Sequence, residues 1–190
     1  MRRTERLRSL RPAILAGVAT CALFAAVARA ASTRDMVILL RALAYDRNFD
    51  ERVQGAVDVA VFYREALPQS KRCMTDALAM QAELAQVKLK GHDIVLTAVE
   101  LGASTLDVAK DAELWFVCPG LDGDLLSITA EAEKRQRITA AQSHSYVEKG
   151  IALGIEEGDS ESTLYVNLPA SKKLGAEFNS QLLGVATVIR

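Results

Sequence analysis

The chain of 190 residues is nearly neutral as a whole, with 23 Lys and Arg against 24 Asp and Glu, and it contains three cysteines and two histidines. Residues 1–30 hold six of the basic residues and one acidic residue, so residues 31–190 have 17 basic and 23 acidic residues and a net charge of −6. This acidic balance leaves no basic stripe to neutralise phosphates, which excludes nucleic-acid binding as an expected function.

Residues 1–30 have the organisation of a secretory signal peptide. Five arginines precede residue 12, residues 13–28 are apolar, and Ala28-Arg29-Ala30 places small residues at the two positions that a signal peptidase reads. The apolar run is shorter than the roughly 20 residues that a membrane-spanning helix needs, which makes a membrane anchor the weaker alternative. We therefore predict cleavage after Ala30 and a single mature domain, residues 31–190, because this length suits one domain and is short for two.

Predicted helices and strands alternate through the first part of this domain. Apolar residues at helical spacing predict helices over residues 32–44, 70–90 and 125–134, and apolar runs predict strands over residues 56–63, 93–99, 114–118 and 137–141. Nearly continuous apolar strands are typical of a parallel sheet with helices on both faces. Such alternation predicts a mostly parallel sheet, ordered 2-1-3 at its start if the fold is flavodoxin-like.

Residues 150–190 predict an antiparallel hairpin and one closing helix. Residues 150–156 and 162–167 are strand-like runs on either side of a turn. Asn167 then offers an N-cap, and Pro169 suits the first helical turn. The apolar residues that follow at spacings of four or three are Leu174, Phe178, Leu182, Val185 and Ile189. The expected fold is therefore a three-layer α/β sandwich that ends in a hairpin and a helix.

This closing segment resembles the C-terminal signature of the YfiR/HmsC-like family of bacterial periplasmic proteins. The signature residues are Asn167, Leu168, Ala170, Gly175, Phe178, Ser180, Leu182, Leu183 and Ala186, preceded by the glycine-bearing strand at residues 150–155. The resemblance implies a periplasmic protein that restrains a membrane-bound signalling enzyme, such as a cyclic-di-GMP-producing diguanylate cyclase, through that enzyme's periplasmic domain. Each signature residue also has a structural explanation, and for Asn167 helix capping is favoured.

Cys73 and Cys118 are both expected at the carboxyl edge of the sheet, one in the helix after the first strand and one at the end of the third strand. A disulfide between them would stabilise the fold by about 4 kcal/mol on the chain-entropy model. An exported protein permits the bond, but two buried free thiols explain the same residues. The resemblance favours the disulfide, because redox-sensitive disulfides are a theme of the family.

Four residues that can form hydrogen bonds separate the first predicted helix from the first strand and are a candidate partner or ligand contact: Tyr45, Asp46, Arg47 and Asn48. A helix-terminating loop with local Asp–Arg pairing is the favoured explanation. His92 and His144 lack ligands at metal-binding spacing, so we predict no metal site. Without a nucleophile elbow or a P-loop, the chain is expected to have no enzymatic activity and no cofactor.

The leading expectation for function is a periplasmic regulatory protein. The resemblance implies that its partner is the periplasmic domain of an inner-membrane signalling protein, and a homodimer is a further candidate assembly. The alternative is a solute-binding module, because open α/β sheets bind ligands at the carboxyl edge of their strands. Cys118, Pro119, Gly120 and the loop after Tyr63 would then line the site. A structural accessory of the cell envelope is a third reading.

Overall fold

A single sheet organises the computed structural model, which describes residues 33–102, 105–158 and 161–190. The predicted signal peptide lies outside these ranges. The strands are β1 (Val57–Tyr63), β2 (Ile94–Glu100), β3 (Leu114–Val117), β4 (Ile138–Ala141), β5 (Leu153–Glu157), β6 (Ser162–Asn167) and β7 (Thr187–Ile189). Their order across the sheet is β2-β1-β3-β4-β5-β6-β7.

Short helices connect and cover these strands. They are α1 (Thr33–Leu43), α2 (Phe49–Arg52), α3 (Pro68–Ala79), α4 (Gln81–Leu84), α5 (Leu125–Arg135), α6 (His144–Glu148), α7 (Leu168–Lys173) and α8 (Ser180–Val185). The helix predicted over residues 70–90 is thus divided into α3 and α4 and ends at Leu84. Within the described ranges, no helix has the length and apolar character needed to cross a membrane.

Strand pairing confirms the predicted α/β fold. β1 lies between β2 and β3, and each neighbouring pair from β2 to β5 is parallel. β5 and β6 form the predicted antiparallel hairpin, with Leu153 opposite Val166. All four residues of β3 are buried, as a strand covered on both faces requires. Trp115 of β3 packs edge to face on Phe62 with ring centroids 5.0 Å apart.

The apolar spacing predicts a single closing helix, and this prediction is wrong. The chain instead forms α7, a loop, α8 and the edge strand β7, which pairs parallel with β6. Gly175 ends the first helix because its φ of 69° is left-handed and does not continue a helix. Asn179 then starts α8 by accepting two backbone N–H groups of its first turn. As a result Leu182 is buried, whereas Val185 is 79% exposed.

Candidate functional site

The carboxyl edge of the sheet, where the sequence predicts a ligand, is bridged by covalent and ionic contacts. Cys73 of α3 and Cys118 after β3 form a disulfide, with their Cα atoms 5.8 Å apart. Arg64, just after β1, donates to both carboxylate oxygens of Asp124 at 2.8 and 2.6 Å. These contacts join the elements that follow β1 and β3, the two strands at which the order changes direction. The crevice that such folds offer to ligands is therefore bridged by the protein's own side chains.

The loop after β3 is held by further contacts around Asp122. Its carboxylate accepts hydrogen bonds from Lys149 Nζ at 2.6 Å and from the Tyr146 hydroxyl at 3.1 Å. These bonds lower the pKa of Asp122, and the Arg64 hydrogen bonds lower the pKa of Asp124. Burial raises the pKa of Tyr146 to about 12, so its hydroxyl remains a donor at neutral pH. Both carboxylates are thus engaged in fixing the loop.

A cleft of about 700 Å³ lies at the opposite, amino edge of the sheet. This amino-edge cleft is lined by Arg47, Asn48, Leu168, Lys172, Gly175, Ala176, Glu177, Phe178 and Leu183. Its lining combines Arg47 and Asn48 of the polar segment at residues 45–48 with residues of the signature segment, 167–186; Tyr45 and Asp46 are not part of the lining. The two segments meet because the chain reverses direction between β5 and β6, which returns residues 168–183 to the amino edge. The lining predicted at the other edge, Cys118, Pro119 and Gly120, forms no part of this cleft.

Asp46 is the buried centre of the contact between the two segments, and its side chain has no exposed surface. Its Oδ1 accepts the backbone N–H groups of Glu177 at 2.8 Å and of Asn48 at 3.2 Å. Its Oδ2 lies 3.4 Å from Nε of Arg52, and Arg52 also donates to the carbonyl oxygen of Gly175 at 3.1 Å. The expected Asp–Arg pairing is therefore formed with Arg52, outside residues 45–48, and the segment joins distant parts of the chain.

The backbone of Tyr45 and Arg47 completes this contact and leaves the Arg47 side chain exposed. The Arg47 N–H donates to the Glu177 carbonyl at 3.1 Å, and the Asn179 N–H donates to the Tyr45 carbonyl at 3.1 Å. In the part of the chain that the structure describes, neither the Arg47 guanidinium nor the Lys172 ammonium forms a hydrogen bond or an ion pair. Two cationic side chains of the cleft are thus available to a ligand.

Asn167 is the N-cap of α7, as the sequence predicts. Its side-chain oxygen accepts the Ala170 N–H at 2.9 Å, and its side-chain amide donates to the Val147 carbonyl at 2.7 Å. The second bond fixes α7 to α6, so an aspartate at this position would keep the cap but lose the donor. Among the other signature residues, Phe178 and Leu182 are buried in the core. Asn167 and Leu182 lie outside the lining of the cleft and act structurally.

Lys172 and Glu177 are the charged lining residues that the sequence did not single out. Both fall in a stretch that the apolar spacing assigns to one continuous helix, where charged residues are ordinary surface residues. Gly175, which lies between them, is the sequence signal that the helix ends there, because glycine is unfavourable inside a helix and common just after its end.

The two histidines lie in separate environments. The His92 ring packs edge to face on Phe49 with centroids 5.9 Å apart, and the His144 ring stacks on Tyr165 at 4.2 Å. Among the described residues, no group of three or more His, Cys, Asp or Glu is placed to hold a metal ion.

We expect Gly175→Ala to lower the free energy of unfolding by about 1–2 kcal/mol. Gly175 has a positive φ, and an added methyl group would collide with the Gln136 side chain. Gly184→Ala is the matched control, because an added Cβ at this α8 position has no neighbour within 4 Å. Urea unfolding of the two variants measures the difference, and equal stabilities would contradict this account of Gly175.

No protein-family model matches the chain, and no curated protein has significant sequence similarity to it. Three solved structures are similar to it in fold. An ABC domain from Streptococcus pneumonia in complex with L-Trp has a TM-score of 0.58 and 12% identity, over 83% of this chain and 61% of its own. A substrate-binding protein with adhesive properties from Clostridium difficile, in a ligand-free open structure, has a TM-score of 0.54 and 13% identity, over 76% and 58%. A conserved domain protein from Vibrio cholerae has a TM-score of 0.54 and 14% identity, over 74% and 57%.

These proteins are similar to the chain in fold but not in sequence, since the identities are only 12–14%. The chain spans about three fifths of the length of each of these proteins, because the matched region covers 57–61% of their residues. The chain therefore shares a mostly parallel α/β architecture with proteins that include a substrate-binding protein.

Proposed function

We propose that the chain is a non-enzymatic module that binds a small molecule in the amino-edge cleft. One observation carries the proposal: apolar side chains line the cleft together with two cations that no described residue pairs. The cleft volume of about 700 Å³ suits a small ligand, because such sites typically enclose roughly 300–1,000 Å³. The fold neighbours support a binding role more than the regulatory role, since one is a substrate-binding protein and another is in complex with L-Trp.

The lining favours a small anion with an apolar body. Leu168, Phe178 and Leu183 supply apolar surface on one side of the ligand. Arg47 and Lys172 attract a carboxylate or a phosphate, and a guanidinium can hold two oxygens of such a group at once. Glu177 supplies an acceptor for a hydroxyl or amine elsewhere on the ligand.

We infer that binding takes place in the periplasm. Residues 1–30 have the sequence organisation of a signal peptide. The Cys73–Cys118 disulfide supports the same compartment, because structural disulfides persist mainly in oxidising environments.

Ligand-dependent melting of the purified protein tests the binding role. The ligands are small carboxylates with aromatic or aliphatic bodies, including L-tryptophan. We expect at least one of them to raise the melting temperature saturably, by several degrees at 100 times its Kd. Arg47→Gln and Lys172→Gln should each lower the affinity for that ligand at least tenfold.

Arg72→Gln provides the control for these variants, because it removes the same charge from an exposed position on α3 outside the cleft. Its affinity should equal that of the unaltered protein. No melting shift with any carboxylate, or equal affinity in all three variants, would rule out the proposed site.

A regulatory role is a second proposal, supported by the resemblance to the YfiR/HmsC-like family. It agrees with one structural observation: Val185 of α8 is 79% exposed and lies two residues from Leu183 of the cleft. Crosslinking from position 185 in intact cells tests it. Capture of the periplasmic domain of an inner-membrane signalling protein would support regulation, and capture of a second copy would support a homodimer instead.

A further inference from the structure

We propose that a second cleft, next to the amino-edge cleft, binds a small oxyanion. This arginine cleft has a volume of about 360 Å³. Three arginines line it: Arg52, Arg135 and Arg137. Asn48 and Gly175 form the wall that it shares with the amino-edge cleft.

Two of the three guanidinium groups are already held by the protein. Arg135 donates to Glu131 and to Asp107, both at 2.5 Å. Arg52 pairs with Asp46 and donates to backbone carbonyl groups, including that of Gly175. These two side chains are therefore fixed in place, and their charges are balanced by carboxylates.

Arg137 differs from both of them. Its Nε atom is buried without a hydrogen-bond partner, one of two such side-chain atoms among the described residues. The rest of its side chain also forms no hydrogen bond or ion pair in the described part of the chain. Burial raises the pKa of Glu113 and the charge of nearby Arg137 acts to lower it, but the Glu113 carboxylate accepts its hydrogen bond from the Asp58 backbone N–H at 2.8 Å.

An unpaired buried donor is unfavourable, and native proteins usually satisfy such a group with water or an ion. Arg137 carries five N–H donors and no acceptor, so one oxyanion can accept hydrogen bonds from several of them and also balance the positive charge, whereas a water molecule does not balance it. The planar guanidinium matches two oxygens of one phosphate, sulfate or carboxylate group. Glu51 is the one carboxylate in the lining and is exposed, which leaves the cleft suited to an anion.

Melting of the purified protein in sodium phosphate, against sodium chloride of equal ionic strength at pH 7, tests this site. Sulfate and phenyl phosphate are measured in parallel. We expect phosphate and sulfate to raise the melting temperature saturably. A phenyl phosphate affinity more than tenfold above that of phosphate would identify the phosphate group of a larger molecule as the ligand, and equal affinities would identify the free ion.

Arg137→Gln should weaken the phosphate effect at least tenfold, and Arg72→Gln should leave it unchanged. If Arg137→Gln unfolds, Arg137→Lys keeps the charge without the guanidinium fork and should weaken phosphate at least fivefold. Equal responses to phosphate and chloride in the unaltered protein would show that the cleft does not bind phosphate and would overturn the proposal. Neither result depends on the carboxylate ligand of the amino-edge cleft, whose affinity in phosphate-free buffer should not change in Arg137→Gln.

Discussion

Asp46→Asn is expected to lower the free energy of unfolding by about 3–5 kcal/mol, because it breaks a buried ion pair from one side. The Asp46 side chain has no exposed surface, and that of Arg52 is only 9% exposed. An asparagine can still accept the Glu177 N–H, but its amide nitrogen can then face the Arg52 guanidinium. The Arg52 charge is left buried without its carboxylate, and the free-energy cost of this exceeds the stabilisation from the hydrogen bonds that remain.

Urea unfolding monitored by Trp115 fluorescence measures this loss. Glu65→Gln is the matched control, because it neutralises the carboxylate of an exposed pair with Lys71 and should leave stability unchanged. The double variant Asp46→Asn/Arg52→Met should be more stable than Asp46→Asn alone, since it also removes the unpaired charge. A loss below about 1 kcal/mol in the single variant would mean that the pair does not hold the two segments together.

Reduction of the Cys73–Cys118 disulfide is expected to lower the free energy of unfolding by about 4 kcal/mol. The bond joins residues separated by 45 positions, so its removal greatly enlarges the unfolded ensemble. It also links α3 to the end of β3 at the bridged crevice. Urea unfolding with and without dithiothreitol measures the effect as a shift of the midpoint.

The variant Cys73→Ala/Cys118→Ala separates the disulfide from other effects of the reductant. Its midpoint should lie near that of the reduced protein and should not respond to dithiothreitol. An unaltered protein with a fully reduced bond and an unchanged midpoint would show that the disulfide does not stabilise this fold.

The order β2-β1-β3 was predictable because its signals are local. β3 is apolar along its whole length and β1 is apolar except for Asp58, and burial on both faces leaves few other ways to place such strands. The same order put Cys73 and Cys118 at one edge, but it could not decide between a bond and two thiols. That decision depends on a Cα separation of 5.8 Å, which only the packed structure supplies.

The prediction of a single closing helix is wrong because the conformation of this segment depends on contacts with distant residues. The spacing of Leu174, Phe178 and Leu182 fits one helix, yet distant groups determine their actual conformation. Asp46 binds the Glu177 N–H from 131 positions away, and it holds the chain in an extended loop between α7 and α8. These apolar residues therefore recur every four positions although no continuous helix contains them.

The sequence singles out two segments that line the amino-edge cleft, but it favours a structural role for both of them. Residues 45–48 and the signature segment were both singled out, but nothing in either stretch indicates that they meet. The rule that ligands bind at the carboxyl edge pointed elsewhere, because the Arg64–Asp124 pair that bridges that edge joins residues 60 positions apart. Such side-chain pairings leave no pattern in the sequence.

The wall between the two clefts has a thermodynamic consequence. Asn48 and Gly175 line both clefts, and one hydrogen bond of 3.0 Å joins the Asn48 amide to the Gly175 carbonyl. A ligand that displaces this bond from either side changes the surface presented on the other side. Linkage is reciprocal, so the factor by which the proposed oxyanion alters the affinity for the proposed carboxylate must equal the factor in the reverse direction. Under the two proposed binding roles, this shared wall would couple the protein's response to the concentrations of two ligands.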